Sequence, residues 1–181
     1  MKHHQYNPGY QFVKPPVDFN KYTDRSLLQY CLGATMYMPG TKDFAQAIID
    51  KKYPGLTSMV MCVEELPKVD LEQTLMKRKA IVNDAVDGLM RELVLDQANG
   101  FMGKTCIHPS HLNYINGMLA VTQDEYDDAY QILHTSGGVV KGTKGMNEIG
   151  PHKNWAEKII MRAQAYGVIE NDASYIELFG V

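Results

Sequence analysis

The chain has 181 residues, 45% of them hydrophobic and 22% charged, the balance of one ordinary globular domain able to bury a sizeable core. A formal net charge of −3 with no basic run argues against a broad nucleic-acid surface, and no apolar stretch approaches membrane-spanning length. Three widely spaced cysteines, Cys31, Cys62 and Cys106, do not form a disulfide framework; with an N-terminus that has no apolar signal core, they predict a cytoplasmic protein.

Residues 1–23 read as an extended arm, because Asn7-Pro8-Gly9 is a turn signal and Pro15-Pro16 forbids regular helix. Such an arm is expected to lie across the surface or across a partner. A short helix is predicted at 24–30 and a buried strand at 32–37, ended by Pro39-Gly40. Phe44, Ala45, Ala47, Ile48 and Ile49 then mark a short amphipathic helix within 41–50. Residues 57–63, TSMVMCV, form a second buried strand that delivers Glu64 and Glu65 to its C-terminal end. The clearest helix spans about 72–95, with Val82, Ala85, Val86, Leu89 and Leu93 at spacings of three and four, and with Asp84 and Asp87 on its wet side. Asn99-Gly100 stops it. A third strand follows at 103–107, closed by His108-Pro109, and then a helix at 110–119. Thr122 and Glu125 form a capping box at the head of a helix running to about His134. From Gly137 the run GGVVKGTKG predicts a mobile loop. Gly150-Pro151 opens the last long helix, which carries Trp155 as a packing anchor and ends at Gly167. The 11 methionines are most simply core filling.

Ala98 and Gly103-Lys104-Thr105 together fit a relaxed phosphate-loop pattern. A true phosphate loop joins a strand to a helix, so that free amides at the helix start face the anion. Here a helix precedes the motif and a strand follows it, so Lys104 enters a strand and an ATP site is not expected. Cys106, His108 and His111 also invite a zinc reading, but no second Cys/His pair stands at ligand spacing.

The run GKTCIHPSH at 103–111 resembles the late-strand signature of the citrate lyase β-subunit family, also called the HpcH/HpaI aldolase family. Three further stretches agree in order. Residues 36–41, MYMPGT, are similar to the family's first strand and its Pro-Gly-Thr turn; residues 60–65, VMCVEE, stand where the family has a strand ending in Glu-Asp. Met146-Asn147-Glu148, followed by Pro151 and the Trp155 helix, looks like the C-terminal lid. The stretches NPGYQFVKPP, LGATMYMPGT and LTSMVMCVE most resemble the branch of carbon–carbon lyases associated with tellurium-resistance gene clusters.

The resemblance implies a TIM-barrel ancestor, yet a complete barrel needs about 250 residues and eight strands. Three strands are convincing here, and the barrel's centre is missing, with the join within 66–74. The expected fold is therefore α/β, a partial βα layer derived from a TIM barrel, with a C-terminal helical lid. The expected divisions are the arm at 1–23, a truncated βα lyase-like domain at 24–136, and the glycine-rich loop and lid at 137–181. The implied activity is carbon–carbon bond cleavage or formation in a small oxo-acid or an acyl-coenzyme A thioester, through an enolate stabilised by Mg²⁺. The family's central metal ligands, and the arginine that grips the substrate carboxylate, have no matching positions in this chain. The alternative is a catalytically inactive relative acting only in oligomerisation or partner binding. The family's trimers and hexamers imply a homo-oligomer.

By the same resemblance Glu65 takes the family's aspartate position, one carbon longer, and Glu64 with Glu65 is the only metal set near a strand end. Carboxylates simply ending a strand in solvent are an equal alternative. Lys104 and His108 are candidates for binding the substrate, although His108 also fits a local turn role. Glu148 matches the lid aspartate that works as acid or base in a neighbouring subunit's site, and it follows the glycine-rich loop a lid needs.

Overall fold

The computed structural model describes residues 9–40, 42–62, 86–143 and 145–173. Strand β1 (Gly33–Pro39) is preceded by a short helix α1 (Arg25–Leu28) and a single 3₁₀ turn over Tyr30–Leu32, where one helix is predicted from the sequence. Asp24 caps α1 by accepting the Ser26 amide. Side chains alternate along β1: Ala34, Met36 and Met38 are buried, while Tyr37 is 48% exposed on the other face. Helix α2 (Ala45–Ile49) leads to β2 (Ser58–Cys62), and helix α3 (Val86–Ala98) leads to β3 (Gly103–Cys106). The first half of the predicted 72–95 helix lies outside the described residues; the second half is present and runs on to Ala98.

The three strands form one parallel sheet in the order β2-β1-β3, with Thr35 opposite both Ser58 and Thr105. The strand that comes third in sequence therefore lies beside the first. A closed barrel has this neighbour pattern at its seam, where the last strand meets the first. Among the described residues the sheet does not close. Gly103 permits the contact, since a Cβ there would lie 2.9 Å from the Gly33 carbonyl oxygen. Helix α4 (His111–Met118) covers the sheet with Leu112, Ile115 and Met118, and these pack with Met36, Met38, Cys106 and Leu93 into the main core. The methionines of β1 do fill core, whereas Met59, Met61 and Met146 are exposed and do not.

Two short strand pairs extend beyond the three predicted strands. Strand β4 (Val121–Thr122) pairs in parallel with β7 (Val168–Ile169), and residue Lys14 bridges antiparallel to Val168. Val13 and Val17 donate to the Val168 and Gln164 carbonyls, so this part of the N-terminal segment is stitched to the domain. Helices α5 (Gln123–His134) and α6 (Ile149–Tyr166) pack against each other through Ala129, Ile132, Ala156, Ile159 and Ala163. The long helix begins two residues before Pro151, which falls in its first turn. Trp155 is 38% exposed beside the Ala156–Ile159–Ala163 stripe, and is not the anchor its size predicts.

The capping box forms as expected: Thr122 Oγ1 accepts the Glu125 amide at 3.4 Å, and Glu125 Oε2 accepts the Thr122 amide at 3.1 Å. Thr122→Ala is expected to remove about 1 kcal/mol of stability. A thermal melt should show a Tm lower by about 2–4 °C.

The glycine-rich run is not a loose loop. It forms an antiparallel hairpin of β5 (Val139–Gly142) and β6 (Gly145–Glu148), with Val139 opposite Glu148. Two features hold it. Val139 and Val140 favour extended backbone, and the buried Asp128 of α5 accepts from the Thr143 amide and hydroxyl at 2.9 and 3.0 Å. The helix α6 amide of Ile149 closes the base by donating to the Gly138 carbonyl.

Candidate functional site

All three strands of the parallel sheet point the same way, so the chain leaves β1, β2 and β3 at one edge. Pro39 stands opposite Cys62, and His108 follows Cys106 by two residues. The C-terminal edge of parallel strands is where barrel enzymes carry their functional groups. Glu64 and Glu65, the candidate metal pair, lie outside the described residues.

His108 sits on the turn into α4. Its Nδ1 accepts the Ser110 amide at 3.2 Å and lies 2.8 Å from Ser110 Oγ. Accepting a backbone amide fixes the neutral tautomer with its proton on Nε2. The His108 carbonyl accepts from the His111 amide and from Cys106 Sγ at 3.1 Å. The local turn role thus leaves the ring's donor proton on Nε2. His111 lies 6.3 Å away, ring to ring, and burial together with the nearby His108 holds its pKa below the ordinary imidazole value. Burial also pushes the Cys106 thiol up to about 11, only partly offset by its contact with the His108 carbonyl, so this sulfur is a packed thiol at neutral pH.

Lys104 sits on the helix-facing side of β3, the same side as Cys106, because alternate strand residues share a face. Its ammonium meets Asp96 at 2.7 Å and Glu92 at 2.9 Å on α3, with the side chain only 18% exposed. Burial alone would lower its pKa; the two carboxylates more than reverse this and hold it above the ordinary value. Lys104 thus ties β3 to the preceding helix, and the Gly-Lys-Thr motif follows a helix and occupies a strand.

Glu148 ends β6 and precedes the first residue of α6, with its carbonyl 2.7 Å from His152 Nδ1. Its side chain shares the outer face of the hairpin with Val139, Lys141 and Met146, the last 79% exposed. No hydrogen bond or ion pair among the described residues joins Glu148 to His108 or Lys104. Among the described residues there is also no group of three or more His, Cys, Asp or Glu side chains placed to hold a metal ion. No helix among them is long and apolar enough to cross a membrane.

Asp128, which fixes the Glu148 hairpin, escaped the sequence reading. Its signal was present: Asp128 falls beside Ala129 and four residues before Ile132, on the apolar stripe of α5, where an unpaired carboxylate is not tolerated.

A family model described as C-C bond lyase of the TIM-barrel fold matches the chain over residues 26–76 and 67–168. The two matched segments overlap at 67–76, against the 66–74 stretch where the sequence places the join. Neither the curated proteins nor the solved structures yield a match.

Proposed function

We infer the function from one premise: the chain belongs to the C-C bond lyase family of the TIM-barrel fold. The reading is a lyase of the citrate lyase β-subunit or HpcH/HpaI type that makes or breaks the bond next to the carbonyl of a small oxo-acid or acyl-coenzyme A thioester. One observation carries it. The three parallel strands end at a single edge, and in the sequence Glu64 and Glu65 follow the end of β2 while His108 follows the end of β3.

In the cleavage direction a base removes the substrate's hydroxyl proton and the carbon–carbon bond breaks. Its electron pair remains on the acyl fragment as an enolate, which then takes a proton on carbon. Glu148 is the proposed base and then acid. It stands on the outer face of its hairpin, and so serves the strand edge of a neighbouring copy better than its own. The His108 Nε2–H is the proposed donor to the developing enolate oxygen. The family implies Mg²⁺; Glu64 and Glu65 would hold it, and it would stabilise the developing enolate, while the described residues add no three-donor set of their own.

A second reading is a relative without activity, working only in self-association or partner docking. The Lys104 ammonium, committed to Asp96 and Glu92, favours it, because that cation is withdrawn from any substrate. Isothermal titration with oxaloacetate or acetyl-coenzyme A in Mg²⁺ separates the two. The enzyme reading expects heat at millimolar ligand and a turnover that Glu148→Gln lowers about 10²-fold. A flat titration leaves the second.

A further inference from the structure

At the opposite, N-terminal end of β2 lies a cavity of about 650 Å³, between the end of α2 and the loop into the strand. Cavities of about 300–1,000 Å³ are the size that takes small organic ligands. Its walls include Ala47, Ile48, Tyr53, Leu56 and Met59, and Lys51 stands among them as the one cationic side chain. We propose that this cavity binds a small amphipathic carboxylate, with its apolar chain against Ile48, Leu56 and Met59 and its anionic head at Lys51.

Two observations beyond size and lining support the assignment. The first is the backbone of Lys51. Its amide donates to the Ile48 carbonyl and that of Lys52 to the Ala47 carbonyl, the double bond pattern that closes a helix with a left-handed residue. Glycine is the usual occupant, yet a lysine sits here at φ 52°, the only non-glycine residue with positive φ among those described. Capping alone does not call for a charged side chain in a conformation it disfavours, whereas a cation needed at a cavity mouth does. The second is the rigidity of the wall. Asn116 Nδ2 holds the Gly55 carbonyl at 3.2 Å, and the Thr57 and Ser58 hydroxyls donate to the Leu32 carbonyl at 3.0 and 2.9 Å. With these polar groups already engaged, the cavity lining is mostly carbon, with the Tyr53 hydroxyl and Lys51 as its remaining polar side chains. Its place at the strands' N-terminal end separates it from the edge assigned to catalysis, so the inference does not rest on the proposed reaction.

The test uses the full chain with octanoate as the anionic probe and octanol as the neutral one, read by methyl NMR of Ile48, Leu56 and Met59. Octanoate at millimolar concentration should shift these three methyl sets and bind more tightly than octanol. Lys51→Gly relieves the backbone, so it should fold and raise Tm by about 2 °C, yet weaken octanoate about fivefold while leaving octanol unchanged. Stability and binding then move in opposite directions, which a merely structural lysine would not produce. Silent methyls, equal affinity for the two probes, or an unchanged octanoate affinity in Lys51→Gly would each overturn the proposal.

Discussion

Replacing Gly167 with alanine is expected to cost about 4 kcal/mol and to lower Tm on the order of 10 °C. Gly167 ends α6 at φ 86° and ψ 173°, a region that only glycine enters freely. Its amide donates to the Ala163 carbonyl at 2.7 Å, and its carbonyl accepts the Val121 amide at 3.1 Å, so the backbone cannot relax without loosening both α6 and the β4–β7 pair. Space is as tight as conformation. An added Cβ would stand 2.7 Å from the Phe12 ring and 2.9 Å from Pro16 Cδ. The two penalties can be separated. Gly167→Ala should speed hydrogen exchange at the Val13 and Val17 amides, and adding Phe12→Ala should relieve part of the clash and none of the backbone strain, so their protection would return only in part. Full recovery in the double variant would show that crowding alone sets the cost.

Asn116→Ala is the second large effect, at about 3 kcal/mol. Asn116 lies on α4 with 0% exposure, its Oδ1 accepting the Ala34 amide at 3.3 Å and its Nδ2 donating to the Gly55 carbonyl at 3.2 Å. One side chain thereby holds the start of β1 and the loop before β2. Truncation takes the side-chain acceptor from the buried Ala34 amide and one donor from the Gly55 carbonyl. Asn116→Leu restores the volume without the bonds, so a loss similar to alanine's assigns the cost to the polar groups, and a small loss assigns it to the cavity. Urea unfolding with an unchanged slope and a lower midpoint is the expected readout.

Much of this architecture was legible in the residues. The apolar runs MYMP and SMVMC formed strands because carbon-rich β-prone segments between turn signals have few other places to go, but only β1 is buried as predicted. In β2 Met59, Val60 and Met61 are exposed, because among the described residues β2 is an edge strand with no neighbour beyond it. The Thr122–Glu125 box marked its helix start to the residue, since capping is a local bargain between adjacent groups. Non-local choices were harder. The hairpin at 139–148 looked like a loop because glycine and lysine dominate the run, while the carboxylate that pins it lies on another helix. Strands β4 and β7 have two residues each, too few for any period to show. Asn116 reads as an ordinary polar helix residue until its spacing of four from Leu112 is noticed. Lys104 is a substrate-binding candidate by its motif, and strand alternation puts it on the side of Cys106 and of α3. The family was legible from four short motifs, and the match over most of the chain agrees with that reading at the level of carbon–carbon lyases. Glu64 and Glu65 fall outside the described residues, so their part in the site stays a proposal.

The pairing of Gly33 with Gly103 closes a long circuit of chain, with β2 and α3 strung along it. Closing such a circuit grows dearer only with the logarithm of its length, by about 0.6 kcal/mol for each doubling. Residues added within this circuit would therefore leave the junction nearly as stable as before. Tolerance to added sequence is thus built into the way β1 and β3 meet.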